Sequence, residues 1–97
     1  MDDKYKLNGI SFIWDQAKAR SNPAKHGVTF ERAAETFFDP FLRLLDAGPE
    51  DDVRDAIIGM DENWNLLYVV HLVVENEQIR IISARKATRN ERRQYED

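Results

Sequence analysis

The chain has 97 residues, of which 42% are hydrophobic and 33% charged, with a formal net charge of −4 and no cysteine. That length bounds a single domain with one core, and the missing thiols exclude disulfides, thiolate metal sites and cysteine nucleophiles. No apolar run reaches membrane length and the charged start lacks a secretory pattern, so a soluble cytoplasmic protein is expected.

Residues 1–9 are polar and hold Asn8-Gly9, which predicts a loose start or a turn. A strand follows over Ile10–Trp14, with Ile10, Phe12 and Trp14 on one face. Asp15 caps a helix through Ala17, Lys18, Ala19 and Arg20. Pro23 interrupts it, so the helix either kinks there or gives way to a second short turn. Gly27 is the expected stop, in the left-handed region glycine tolerates. Thr29 caps the next helix, whose Phe30, Ala33, Ala34, Phe37 and Phe38 form a core-facing stripe; helical spacing explains these aromatics better than a base-stacking platform does. Asp39-Pro40 ends it.

From there the period changes. Strands are predicted over Phe41–Leu45, Val53–Met60 and Leu66–Val74, with an acidic loop over 47–52 and short polar connections at 61–65 and 75–77 that make antiparallel neighbours. The stretch Ile79–Tyr95 is a buried strand delivering arginines into a helix. Thr88 and Glu91 satisfy each other's amides there in a capping box. The fold class is therefore α+β: a mostly antiparallel sheet with two N-terminal helices and a C-terminal helix, in the order β-α-α-β-β-β-β-α, as one domain over 1–97.

The acidic total hides a charge dipole. The net charge is +1 over residues 1–38, −8 over 39–77 and +3 over 78–97. A cationic patch thus survives in a chain whose overall sign disfavours polyanions. The acidic segment around Asp46, Glu50, Asp51, Asp52 and Asp55 is the expected surface for a basic protein partner. These carboxylates lack calcium-loop spacing, the histidines lack ligand spacing, and no metal or cofactor is expected. No phosphate loop or serine elbow is present.

What remains is Lys25-His26, Arg54, and the arginines of the Ile79–Tyr95 stretch. Cleaving RNA without a metal needs a base for the 2′-hydroxyl, an acid for the leaving 5′-oxygen, and cations at phosphorus. The imidazole of His26 is a candidate for either proton transfer, as base or acid, or it serves only the carbonyls at its helix end. Arg80, Arg85 and Arg54 suit phosphate bidentately, and Lys25 adds a point charge. Arg54 and Arg80 have an alternative use, pairing with the acidic loop. Strand alternation also sets Arg80 and Arg85 on opposite faces unless the strand ends or bulges by Ser83 or Ala84. Lys86, Arg89, Arg92 and Arg93 follow, the last three on one helix face, as a solvated surface or a steering surface for RNA. His71, inside an apolar strand, reads as a packed core histidine.

Taken together, W-D-x-x-K-A-x-x-N-x-x-K-H-G-V from Trp14 and R-I-I-S-A-R-x-A-T-x-x-E-R from Arg80 resemble the BrnT family of toxins from type II toxin–antitoxin pairs, which have a RelE-like ribonuclease fold. The similarity runs from Ile10 to Glu96 and includes Arg54, Ile58-Gly59 and Tyr95. It departs at Arg32, where many relatives carry a glutamate that would complete a capping box from Thr29, and at Pro23. The resemblance implies a metal-independent endoribonuclease that inhibits translation. It also implies neutralisation by a ribbon-helix-helix antitoxin similar to BrnA, with operator DNA reached only through that complex. Lys25, His26, Arg54, Arg80 and Arg85 stand at motif positions. A catalytically silent module that acts through antitoxin and nucleic-acid contacts is the alternative.

Overall fold

The computed structural model describes residues 1–46 and 54–97. The expected acidic loop, with Glu50, Asp51 and Asp52, lies outside the described residues. The remainder forms a six-stranded sheet with three helices, matching the expected α+β class.

The first element departs from expectation. Residues Asp2–Leu7 form a strand, β1, paired antiparallel with β2 (Ile10–Asp15). Asn8 (φ 50°) and Gly9 (φ 82°) make the two-residue turn between them. Both positions need positive φ for the strands to keep their twist, and Asn-Gly supplies it. The polar alternation of β1 concealed it: Tyr5 and Leu7 alone pack toward the core, while Lys4 and Lys6 point the other way.

Helix α1 (Gln16–His26) starts where Asp15 accepts from the Lys18 amide at 3.0 Å, and it runs through Pro23 as one helix. Neither a separate turn nor a stop occurs at the proline. Beside it, buried Asn22 donates to the carbonyls of Val28 and Ala84, each at 2.8 Å, which fastens this part of α1 to the sheet. Gly27 ends the helix at φ 71°, as expected. Thr29 caps α2 (Phe30–Glu35) by accepting from the Arg32 amide, and a 3-10 turn over Thr36–Phe38 continues the apolar stripe. Arg32 meanwhile reaches Asp61 at 3.0 Å and the Gly27 carbonyl at 3.1 Å, so it ties α2 to the β4–β5 turn.

The remaining strands are β3 (Arg43–Asp46), β4 (Asp55–Met60), β5 (Leu66–Val74) and β6 (Gln78–Lys86), followed by α3 (Arg89–Glu96). The sheet order is β1-β2-β6-β5-β4-β3, with only the β2–β6 pair parallel. Helices α1 and α2 cover one face, where Phe12, Trp14, Phe30, Ile57, Leu67, Val69 and Ile81 make the core. Burying such side chains contributes about 1.5–3 kcal/mol each.

On the second face α3 runs from β6 toward the β3 edge. Glu91 meets Arg85 of β6, Tyr95 donates to Asp39 at 2.6 Å, and Arg43 of β3 donates to the Asp97 carbonyl. Ala56 and Ile58 on that face are fully buried. Among the described residues no helix crosses the half of that face over β6, β2 and β1.

Candidate functional site

The position of the arginines turns on one irregularity. The β5–β6 register pairs Val70 with Ser83 but His71 with Ile81, so Ile82 has no partner and β6 bulges there. A bulge resets the alternation of side chains. Arg80 pairs with Leu72 and Arg85 with Tyr68, two residues of the same parity on β5, so both arginines stand on the second face. Arg54 precedes the Asp55–His71 pair by one residue, which on strand alternation places it on this face beside Leu72. The three arginines thus share one side of the sheet, with Tyr68, Val70, Leu72 and Ser83 between them.

Two of the three are held by carboxylates in a fork. Arg80 donates to both oxygens of Asp2, at 3.3 and 2.6 Å. Its hydrogen bonds hold the Asp2 carboxyl below the ordinary range, and the same contact raises Arg80. Arg80 thus has a partner from β1; the acidic loop offered as its alternative partner lies outside the described residues. Arg85 donates to both oxygens of Glu91 at 2.8 Å and lies 4.2 Å over the Tyr68 ring. The same Glu91 completes the capping box by accepting from the Thr88 amide at 2.9 Å. The Arg85 hydrogen bonds lower the Glu91 carboxyl despite its partial burial. Along β6 the two arginines are separated by roughly 13 Å of strand rise, discounting the bulged residue. They face one trough but are drawn to opposite ends of it.

Lys25 and His26 sit exposed at the C-terminal end of α1, on the helix side of β6. The Asn22–Ala84 hydrogen bond brings that helix against the strand segment bearing Arg85. The sheet therefore lies between the imidazole-bearing helix and the arginine face, and, since β6 is flanked by β2 and β5, convergence on one phosphate requires RNA to pass the Lys86 end of β6, the end that bears Arg85 and not Arg80. Lys86, paired with Leu67, emerges exposed on the helix side, while Arg89, Arg92 and Arg93 are exposed on α3. Asp46 and Asp55 are register partners on β3 and β4, and Asp55 is exposed.

His71 is the packed core histidine expected, but its Nδ1 lacks the expected hydrogen-bond partner among the described residues: it is 5% exposed, packs edge-on to Phe37 at 4.9 Å, and burial lowers its pKa. Among the described residues no group of three or more metal-ligating side chains gathers. Residues that sequence reasoning passed over are Asp2, Lys4, Lys6 and Tyr68. The period-2 pattern of residues 2–7, flanked by Asn-Gly, was the signal available for the first three.

Fold and face together define a small mixed-sheet α+β domain with α1 and α2 behind the sheet and an arginine-bearing face, partly crossed by α3, in front. A family profile described as ribonuclease toxin, BrnT, of type II toxin–antitoxin system matches residues 14–91. The chain belongs to that family. The crystal structure of the Brucella abortus ribonuclease toxin BrnT is similar in fold, with a TM-score of 0.63 at 24% identity, covering 78% of this chain and 94% of that one. No curated protein sequence matches the chain.

Proposed function

We propose that this protein is a metal-independent endoribonuclease, acting by attack of the RNA 2′-hydroxyl on the adjacent phosphorus. The 2′-oxygen forms a bond to phosphorus as the 5′-oxygen leaves, giving a 2′,3′-cyclic phosphate and a free 5′-hydroxyl. His26 serves one of the two proton transfers. Arg80 and Arg85 hold the phosphate oxygens as charge builds, with Arg54 and Lys25 as supporting cations. Lys86, Arg89, Arg92 and Arg93 steer RNA toward the trough. The observation that carries this reading is the bulge at Ile82, which sets Arg80 and Arg85 on one face. Asp2 shields Arg80 only partly, its side chain being 41% exposed, whereas Glu91 is 13% exposed and caps α3. Arg80 is accordingly the clamp more easily released to a phosphate.

In the cell this activity inhibits translation. A ribbon-helix-helix antitoxin neutralises it by docking a basic surface on the acidic segment around Asp46 and Asp55, and operator DNA is bound through that complex.

The test is cleavage of RNA by purified protein in EDTA. Arg80→Ala and His26→Ala should each lose roughly a hundredfold in rate, the scale of removing one preorganised charge-stabilising donor, with circular dichroism unchanged. Full activity in both variants ends the residue assignment, and dependence on added divalent metal ends the metal-free mechanism. The silent binding module gains support from the two occupied arginine forks, and RNA binding with no cleavage would select it.

A further inference from the structure

The family profile begins at Trp14, so β1 and the first part of β2 precede the matched span. That hairpin nevertheless forms one wall of the arginine trough. Lys4 pairs with Ile13 and Lys6 with Ser11, while Ile13 pairs with Arg80 across the parallel junction. Lys4, Lys6, Ser11 and Ile13 therefore stand on the second face with Arg80. Between them the surface opens into a hollow of about 240 Å³ lined by Lys4, Tyr5, Lys6, Ser11 and Gln78. Gln78 lies two residues before Arg80 on the same side of β6. Two lysines, a serine and a glutamine among the lining residues are types that donate to a phosphate. Arg80 is held by Asp2, two residues before Lys4 on the same strand.

We propose that the N-terminal hairpin is a second phosphate subsite for the RNA backbone, built from Lys4, Lys6, Ser11 and Gln78. Asp2 occupies the phosphate's place on Arg80 until RNA enters. This rests on the ribonuclease reading and extends it: the scissile phosphate lies in the trough and a neighbouring phosphate lies on the hairpin. An incoming strand brings its own anionic oxygens to Arg80, and the exposed Asp2 swings to solvent.

The test measures binding of a fluorescein-labelled 2′-O-methyl RNA of about ten nucleotides, a length within the usual single-strand site sizes. Fluorescence anisotropy is recorded across a salt series. Cleavage of unmodified RNA by the unaltered protein is followed in parallel. Lys4→Ala/Lys6→Ala should bind roughly tenfold more weakly at low salt, and its slope of log K against log salt should fall by about 0.7, one phosphate contact at the single-strand value. Asp2→Asn should bind roughly two- to fivefold tighter, since a competing carboxylate is gone from the Arg80 fork. Circular dichroism checks that each variant folds. Unchanged affinity and slope in the double lysine variant, with cleavage intact in the unaltered protein, overturns the subsite and leaves the ribonuclease standing. The expected binding changes without cleavage keep the subsite and remove the ribonuclease. A protein that neither binds nor cleaves RNA loses both.

Discussion

One guanidinium, that of Arg85, joins three elements: it forks to Glu91 of α3, stacks on Tyr68 of β5 and donates to the Lys86 carbonyl of its own strand. Lysine has neither the planar fork nor the stacking surface. Arg85→Lys should therefore destabilise the fold by about 1–2 kcal/mol, from one charged hydrogen bond and one cation–π contact, read as a shift in the urea midpoint. The partner carboxyl predicts a pH effect. Glu91 is held below its ordinary value of 4.5 by the Arg85 hydrogen bonds. A depressed folded-state pKa contributes stability above the unfolded value and loses it as pH falls through the folded value. Thermal melts should show the unaltered protein losing its advantage over Glu91→Gln only below pH 4.5; a gap unchanged at about pH 3 would contradict this linkage. The chemical types of these residues were readable in sequence, since guanidinium and carboxylate announce themselves. Their pairings were not: Arg85 with Glu91 follows from the chain turning into α3, and Arg80 with Asp2 joins residues from opposite ends of the molecule.

Among the elements, β5 matches its predicted bounds because nine apolar-rich residues between polar turns allow no other period. The caps at Asp15, Thr29 and Thr88 and the stop at Gly27 were equally visible, each being a local hydrogen bond or a local φ. Strand β1 escaped because four of its six residues carry charge, and its identity rests on pairing with β2. The bulge at Ile82 left no mark at all, since Ile-Ile-Ser is as good a regular strand as an irregular one. Close packing offers an element-scale prediction at Gly59 of β4. A Cβ built there would lie 2.8 Å from the Thr36 carbonyl oxygen and 3.1 Å from its Cβ. Thr36 is fully buried and its hydroxyl is committed to the Ala33 carbonyl, so the 3-10 turn has nowhere to retreat. Gly59→Ala should cost about 1–3 kcal/mol by overpacking, measured by equilibrium denaturation, and should leave RNA affinity per folded molecule unchanged.

At the scale of the whole molecule, the helices divide the labour between the two sides of the sheet. Helices α1 and α2 seal one side, and α3 crosses only the β6-to-β3 part of the other, with Tyr95 anchored on Asp39 and its phenol raised to about 12 by burial and that hydrogen bond. The charge dipole of the sequence is visible in part among the described residues. Lysines and arginines edge the trough, while Asp46 and Asp55 lie together on β3 and β4. If the acidic end receives a basic antitoxin, Asp46→Lys/Asp55→Lys should slow association at least severalfold at low salt, with the difference shrinking as ionic strength rises. Stopped-flow mixing measures this, and equal rates at low salt would place the partner elsewhere. This dipole was legible from counting charges. Which basic residues share a side was not, because that depends on strand parity through a bulge.

That bulge has a consequence for how the chain tolerates change. Ile82 is the residue the ladder skips: with it excised, Ser83 would follow Ile81 directly, the pairs His71–Ile81 and Val70–Ser83 would become consecutive, and Arg80 and Arg85 would keep their shared face on a regular strand. An extra residue placed between Ser83 and Ala84 would do the opposite, turning Ala84 outward and driving Arg85 into the layer beneath α1, where a cation would be stranded among core side chains. The strand therefore tolerates loss at the bulge far better than a gain one step beyond it.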